Sequence, residues 1–182
     1  MRCFVAFDLP APVCRHLANA VRPLHGRFEV KWVPPEQMHA TLVFGGDVPD
    51  DAIDDIADLV RTIALPPLSL HLETLGHFPP RGVPRVLWAG LHGDVEAITA
   101  LQQELEQELR PFGFPREKRG FTPHVTLGRV RGNFGAYALT DELQRAAAGL
   151  NQKAFTPAAF VLYESELLPS GPIYRPLVER QM

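Results

Sequence analysis

Two short stretches of this 182-residue chain read alike. His39-Ala40-Thr41-Leu42 is echoed 85 positions later by His124-Val125-Thr126-Leu127. With seven histidines and eight threonines in 182 residues, roughly 0.1 chance matches to His-any-Thr-apolar are expected for independent residues. Residues two apart on a strand leave the same face. Each copy therefore sets one imidazole beside one hydroxyl, while Ala40 or Val125 and the following leucine point into the core. Two such strands facing each other would make a cleft with paired imidazoles and paired hydroxyls. That is the equipment for acid–base chemistry on a phosphodiester. One imidazole takes a proton from the nucleophile and the other protonates the leaving oxygen. The hydroxyls donate to the non-bridging oxygens, where charge develops.

A metal centre fits these residues poorly. Glu36 is the only carboxylate beside either motif in sequence, and two histidines on separate strands lack a third ligand. No metal and no cofactor are expected. An anionic ligand fits better, because Arg116, Lys118, Arg119, Arg129 and Arg131 bracket the second motif against the single acid Glu117. Arg119 is the preferred phosphate contact, since a guanidinium can clamp two oxygens at once. Arg129 ranks lower, because regular alternation from His124 sends it to the opposite face. Trp32, Phe121 and Tyr174 are candidates for stacking a nucleobase, with Phe121 beside the second motif taken as the substrate contact. His16, His25, His71, His77 and His92 show no partner pattern and read as surface or capping residues.

The elements that must carry these groups form an alternating α+β pattern. Residues 2–8 are apolar on both faces, as an interior strand would be. Pro10 and Pro12 open a helix whose apolar residues run from Val13 to Leu24, closed by Pro23 and Gly26. A β-rich run through the first motif ends at Gly45-Gly46. A helix with acid in its first turn follows Pro49. Strands are predicted over 68–75, 84–91 and the second motif, with a helix capped by Asp94 and buried through Val95, Ile98, Leu101, Leu105 and Leu109. A helix over 139–149 and strands over 155–163 and 173–178 complete one compact unit, residues 1–182.

Composition bounds the setting. The chain is 46% apolar and 21% charged with net charge −3, which suits a globular protein and excludes wholesale disorder. A pI near 6.2 argues against a protein that coats nucleic acid, while leaving room for a local basic patch. Cys3 and Cys14 read as reduced packing thiols. No apolar run reaches the length of a membrane span, and the opening MRCFVAFDLP is too short for a signal-peptide core. A cytoplasmic monomer is expected.

At these residues the chain resembles the two-histidine phosphoesterase superfamily, in its RNA 2′,3′-cyclic phosphodiesterase branch, also called RNA 2′,5′-ligases. FVAFDLP, VKWVPPEQMHATLVFGGDV, GHFPPRGVPRVLWAGL, RGFTPHVTLGRV and LYESELLPSGPIYRPL carry the likeness almost end to end. Ala40 and Gly46 depart from the family's habit without removing a chemical group. The resemblance implies an α+β fold of two pseudo-symmetric lobes, each an antiparallel sheet with helices outside, and a groove between them. It further implies metal-independent opening of a terminal cyclic phosphate on RNA, such as tRNA halves, to a 2′-phosphate. His39 would then be the general acid, His124 the general base, and Thr41, Thr126 and Arg119 phosphate contacts. Reversible 2′,5′ ligation would be a side activity. Action on a small cyclic nucleotide such as ADP-ribose cyclic phosphate, or RNA-end binding without catalysis, are the competing readings.

Overall fold

The computed structural model describes every residue except 119, 133, 134 and 170. β1 (Arg2–Asp8) is the middle of one antiparallel sheet, with β3 (His39–Asp47) on one side and β7 (Ala159–Leu168) then β8 (Gly171–Gln181) on the other. The second antiparallel sheet runs in the order β2 (Val30–Trp32), β6 (His124–Val130), β5 (Val86–Gly93), β4 (Leu70–Phe78). The chain is thus interlaced, because the first sheet uses both ends of the sequence and the second uses its middle. The motif strands β3 and β6 lie against each other, one from each sheet.

Among the described residues four α-helices cover the faces turned away from that meeting: α1 (Ala11–Val21), α2 (Ile53–Thr62), α3 (Val95–Leu109) and α4 (Ala136–Ala147). α2 rests on β7 and β8, α3 on β3, and α4 on β4 and α1. One connected core joins Leu17, Val60, Leu105 and Leu139 from the helices to Phe7, Phe160, Leu87 and Leu127 from the two sheets. The double-sided apolarity of β1 has a use on each side. Cys3, Val5 and Phe7 belong to that core, while Phe4 and Ala6, equally buried, lie on the other face. Cys3 and Cys14 are both buried and unpaired with each other.

The expected α+β layout of two antiparallel sheets holds, with local differences. The β-rich run before α2 is two strands in different sheets, because Pro34 and Pro35 break it and cannot extend a ladder. Gly45 and Gly46 lie inside β3 rather than ending it; a Cβ at Gly45 would meet the Phe114 ring at 2.7 Å, so glycine lets that ring pack on the strand. The last two strands extend to Leu168 and Gln181, longer than their apolar cores suggested, since the hairpin runs beyond the buried part. α4 starts three residues earlier than expected, at Ala136, after Gly135 in the left-handed conformation. The Asp94 side chain does not cap α3. It accepts a hydrogen bond from the Ser69 amide at 2.8 Å and ties α3 to the start of β4.

Candidate active site

Both motif strands put their histidine and threonine on the groove side. Ala40, Leu42, Val125 and Leu127 are 0–4% exposed in the core, while His39, Thr41, His124 and Thr126 stay half-buried. The two imidazoles are held alike. His39 Nδ1 lies 2.8 Å from the Gln37 carbonyl oxygen, and His124 Nδ1 lies 2.6 Å from that of Thr122. A carbonyl can only accept, so each Nδ1 carries the hydrogen and each Nε2 is the atom that gains or loses a proton. The matching two-residue offset makes the two halves chemical copies of each other.

Their surroundings differ. His39 sits in an aromatic box: Phe4 stacks on it at 5.0 Å and Tyr174 meets it edge-on at 5.2 Å, with Tyr163 at 6.3 Å. Among the described residues His124 has edge contacts only, from Phe78 at 5.1 Å and Trp88 at 6.4 Å. Burial holds both imidazoles below the ordinary histidine range, against a smaller opposing effect of the carbonyl each one faces. The charge of His124 lowers His39 further, so the two sense each other across the groove.

The groove has two arms that share Thr41 and Phe44. The larger, about 740 Å³, is lined by His39, Thr41 and Thr126 together with Arg2, Lys31 and Arg129. The smaller, about 340 Å³, is lined by Thr41, His124, Phe121 and Arg116, with Glu106 and Glu117. Phe121 lies in the same arm as His124, although it also packs on the core. Arg119 lies outside the described residues.

Arg129 is where alternation fails as a guide. Trp88 pairs with Thr126 and Leu87 with Gly128, so Leu127 is an extra residue in β6. The extra residue resets the alternation and brings Arg129 into the same arm as Thr126. Tyr174 and Trp32 line that arm too, but each has a partner. Tyr174 packs against His39 and Phe4, and His25 covers one face of Trp32 at 4.7 Å.

The remaining histidines also have partners that sequence did not reveal. His71 and His92 flank Glu73 at 3.5 and 3.6 Å, His77 Nδ1 lies 2.8 Å from the Pro79 carbonyl, and His16 accepts from the Asn151 amide. Nor is Glu36 the only nearby acid. Asp8 pairs across β1–β3 with His39 in register and accepts the Tyr163 hydroxyl at 2.8 Å, behind His39. Burial raises the Asp8 carboxyl, and burial followed by the Asp8 contact raises the Tyr163 phenol. Among the described residues no three His, Cys, Asp or Glu side chains gather in a metal-holding arrangement, and no helix is long and apolar enough to cross a membrane.

Two antiparallel sheets meeting at paired, half-buried imidazoles define a two-lobed fold with a histidine-lined groove. The family described as the 2′-5′ RNA ligase superfamily matches residues 9–167, and the chain belongs to it. A Thermotoga maritima protein named RNA 2′,3′-cyclic phosphodiesterase is 33% identical over 100% of this chain and 95% of its own. A protein of that name from Archaeoglobus fulgidus is 32% identical over 97% of this chain and 98% of its own. Among solved structures, a Thermus thermophilus protein superposes with TM-score 0.82 at 28% identity, covering 100% of this chain and 97% of its own. Escherichia coli LigT complexed with 3′-AMP shares the fold with TM-score 0.76 at 22% identity, covering 100% of this chain and 97% of its own.

Proposed function

We propose that the chain hydrolyses the 2′,3′-cyclic phosphate at an RNA end, without a metal, and leaves a 2′-phosphate. The observation that carries this reading is the pair of imidazoles on facing strands, each with Nδ1 spent on a carbonyl two residues back and Nε2 left to move a proton. The relatives' shared name supports the substrate class.

In this reading His124 Nε2 takes a proton from water as the water oxygen bonds phosphorus. The P–O3′ bond breaks in line, and His39 Nε2 gives its proton to the departing 3′-oxygen. Thr41 and Thr126 donate to the non-bridging oxygens, and Arg129 places its charge in the arm beside Thr126. Burial disfavours the imidazolium that an acid must be, so the substrate's own negative charge is what restores the proton on His39. A 5′-hydroxyl in place of water would form a 2′,5′ linkage by the same transfer, with hydrolysis as the main course in water.

Incubation with an RNA ending in 2′,3′-cyclic phosphate, in excess EDTA, tests the reading, with phosphorus NMR identifying the product. A 2′-phosphate is expected. A 3′-phosphate would overturn His39 as the acid. Activity lost in chelator and regained with zinc or manganese would overturn the metal-free mechanism.

A further inference from the structure

Resting on that reading, we propose that the larger arm of the groove is a subsite for a second phosphate, the internucleotide phosphodiester on the 5′ side of the cyclic end, with Arg2 as its principal contact. The two arms differ in charge. Arg2, Lys31 and Arg129 line the larger one with no carboxylate among the described lining residues, whereas Glu106 and Glu117 face Arg116 in the smaller. In a chain of net charge −3, three cations around one cavity single out the arm that a polyanion enters.

Arg2 is built for an anion that the protein does not itself supply. Its guanidinium carbon lies 4.7 Å from the centre of the Phe44 ring, which fixes the side chain, and its buried Nε has no hydrogen-bond partner among the described residues. No acidic side chain among those residues is in ion-pair range of it. Arg2 thus lines the groove with no carboxylate among the described residues to neutralise it, so its charge is left for an anion that enters the arm.

The placement fits one nucleotide. Arg2 and Phe4 share a face of β1, about 6.6 Å apart along the strand, and Phe4 stacks on His39. A phosphate held at Arg2 is therefore displaced along the groove from one held between the histidines, within the arm that Lys31 also lines. A Cβ at Gly171 would meet Lys31 Nζ at 3.0 Å, which places that amino group at the turn between β7 and β8. Trp32, Leu167 and Ile173 give the arm an apolar wall for the sugar and base between the two phosphates.

The test compares three substrates: a nucleoside 2′,3′-cyclic phosphate, its 5′-monophosphate, and a dinucleotide with the same cyclic end. In the native protein, kcat/KM at low salt should be about tenfold higher for the dinucleotide than for the bare nucleoside. R2Q and K31Q should each shrink that ratio, R2Q to within about twofold of one, while R2K keeps most of it. Both substrates are turned over by the same variant, so loss of folded protein cancels in the ratio. Turnover of all three at equal kcat/KM would overturn the subsite, as would an R2Q ratio equal to the native one. Stimulation by the 5′-monophosphate but not by the dinucleotide would overturn the internucleotide assignment. No turnover of any of the three would instead sink the hydrolytic reading on which the subsite rests.

Discussion

Leu42 and Leu127 are counterparts: each follows the motif threonine, each is left without a partner in its ladder, and both are buried. Val43 and Gly128, next in line, are buried as well, so in each strand two successive buried residues separate the threonine from the next side chain in the larger arm of the groove. The residue three positions after each threonine, Phe44 or Arg129, returns to it. The symmetry of the halves thus ends in an asymmetry of chemistry, an aromatic ring on one side and a guanidinium on the other.

That relationship puts Arg129 in the groove beside Thr126, where the proposed reaction would use it on the phosphate, and leaves Arg131, outside the groove lining, as a control. Arg129→Ala should lower kcat/KM toward a cyclic phosphate by about 10- to 100-fold, the scale of a lost charge-assisted hydrogen bond of about 1.5–3 kcal/mol. Arg131→Ala should stay within about twofold. Equal effects of the two would mean that the bulge does not deliver Arg129 to the substrate.

Truncating the histidines separates chemistry from folding. His39→Ala and His124→Ala should each lower kcat by about 10²–10⁴-fold with a native circular dichroism spectrum, and the double variant should be little worse than either single one. Thr41→Ala and Thr126→Ala should cost less, about 1–3 kcal/mol of transition-state stabilisation each. A histidine variant with near-native kcat would reassign that residue to structure.

Much of this site was legible in the sequence because it is short-range. The His-any-Thr spacing fixes which side chains share a face, and the core leucines follow from the same parity. What was hidden depends on pairing between distant strands. No local feature marks Leu127 as a bulge, and without it regular alternation sends Arg129 to the opposite face. Asp8 ends a strand that sequence alone does not align with His39, and no spacing marks Phe4 as the ring that stacks on it. Likewise the β-rich run from Val30 to Gly46 carries no sign of sheet membership, yet the halves on either side of its prolines join different sheets.

Close packing behind His124 offers a structural test. A Cβ at Gly76 would meet Trp88 Cζ2 at 2.4 Å, and that indole lies edge-on to His124. Gly76→Ala should destabilise the protein by about 1–3 kcal/mol through overpacking. Because the indole must move, kcat should fall by more than the loss of folded protein accounts for. Unchanged melting temperature and unchanged kcat together would show that the ring relocates freely.

The pH dependence follows from the direction in which burial moves both imidazoles. The proposed mechanism needs one neutral and one protonated histidine, and in the free protein burial holds both below the ordinary value of about 6.5. The singly protonated form therefore peaks on the acid side of 6.5, and kcat/KM should fall about tenfold per pH unit above the upper apparent pKa. Bound phosphate favours the imidazolium, so the alkaline limb of kcat should lie at higher pH than that of kcat/KM. Stability obeys the same linkage. The folded protein binds fewer protons than the unfolded chain between the depressed pKa values and about 6.5. The contribution of the two neutral imidazoles is thus complete above that range and lost as pH falls through it. Replacing both histidines with glutamine should accordingly reduce the drop in melting temperature between pH 7 and 5. Rate profiles of kcat and kcat/KM from pH 4.5 to 8.5, with melting curves at each pH, measure both effects. A kcat/KM that climbs steadily to pH 8 would mean that neither histidine acts as an acid in the free enzyme.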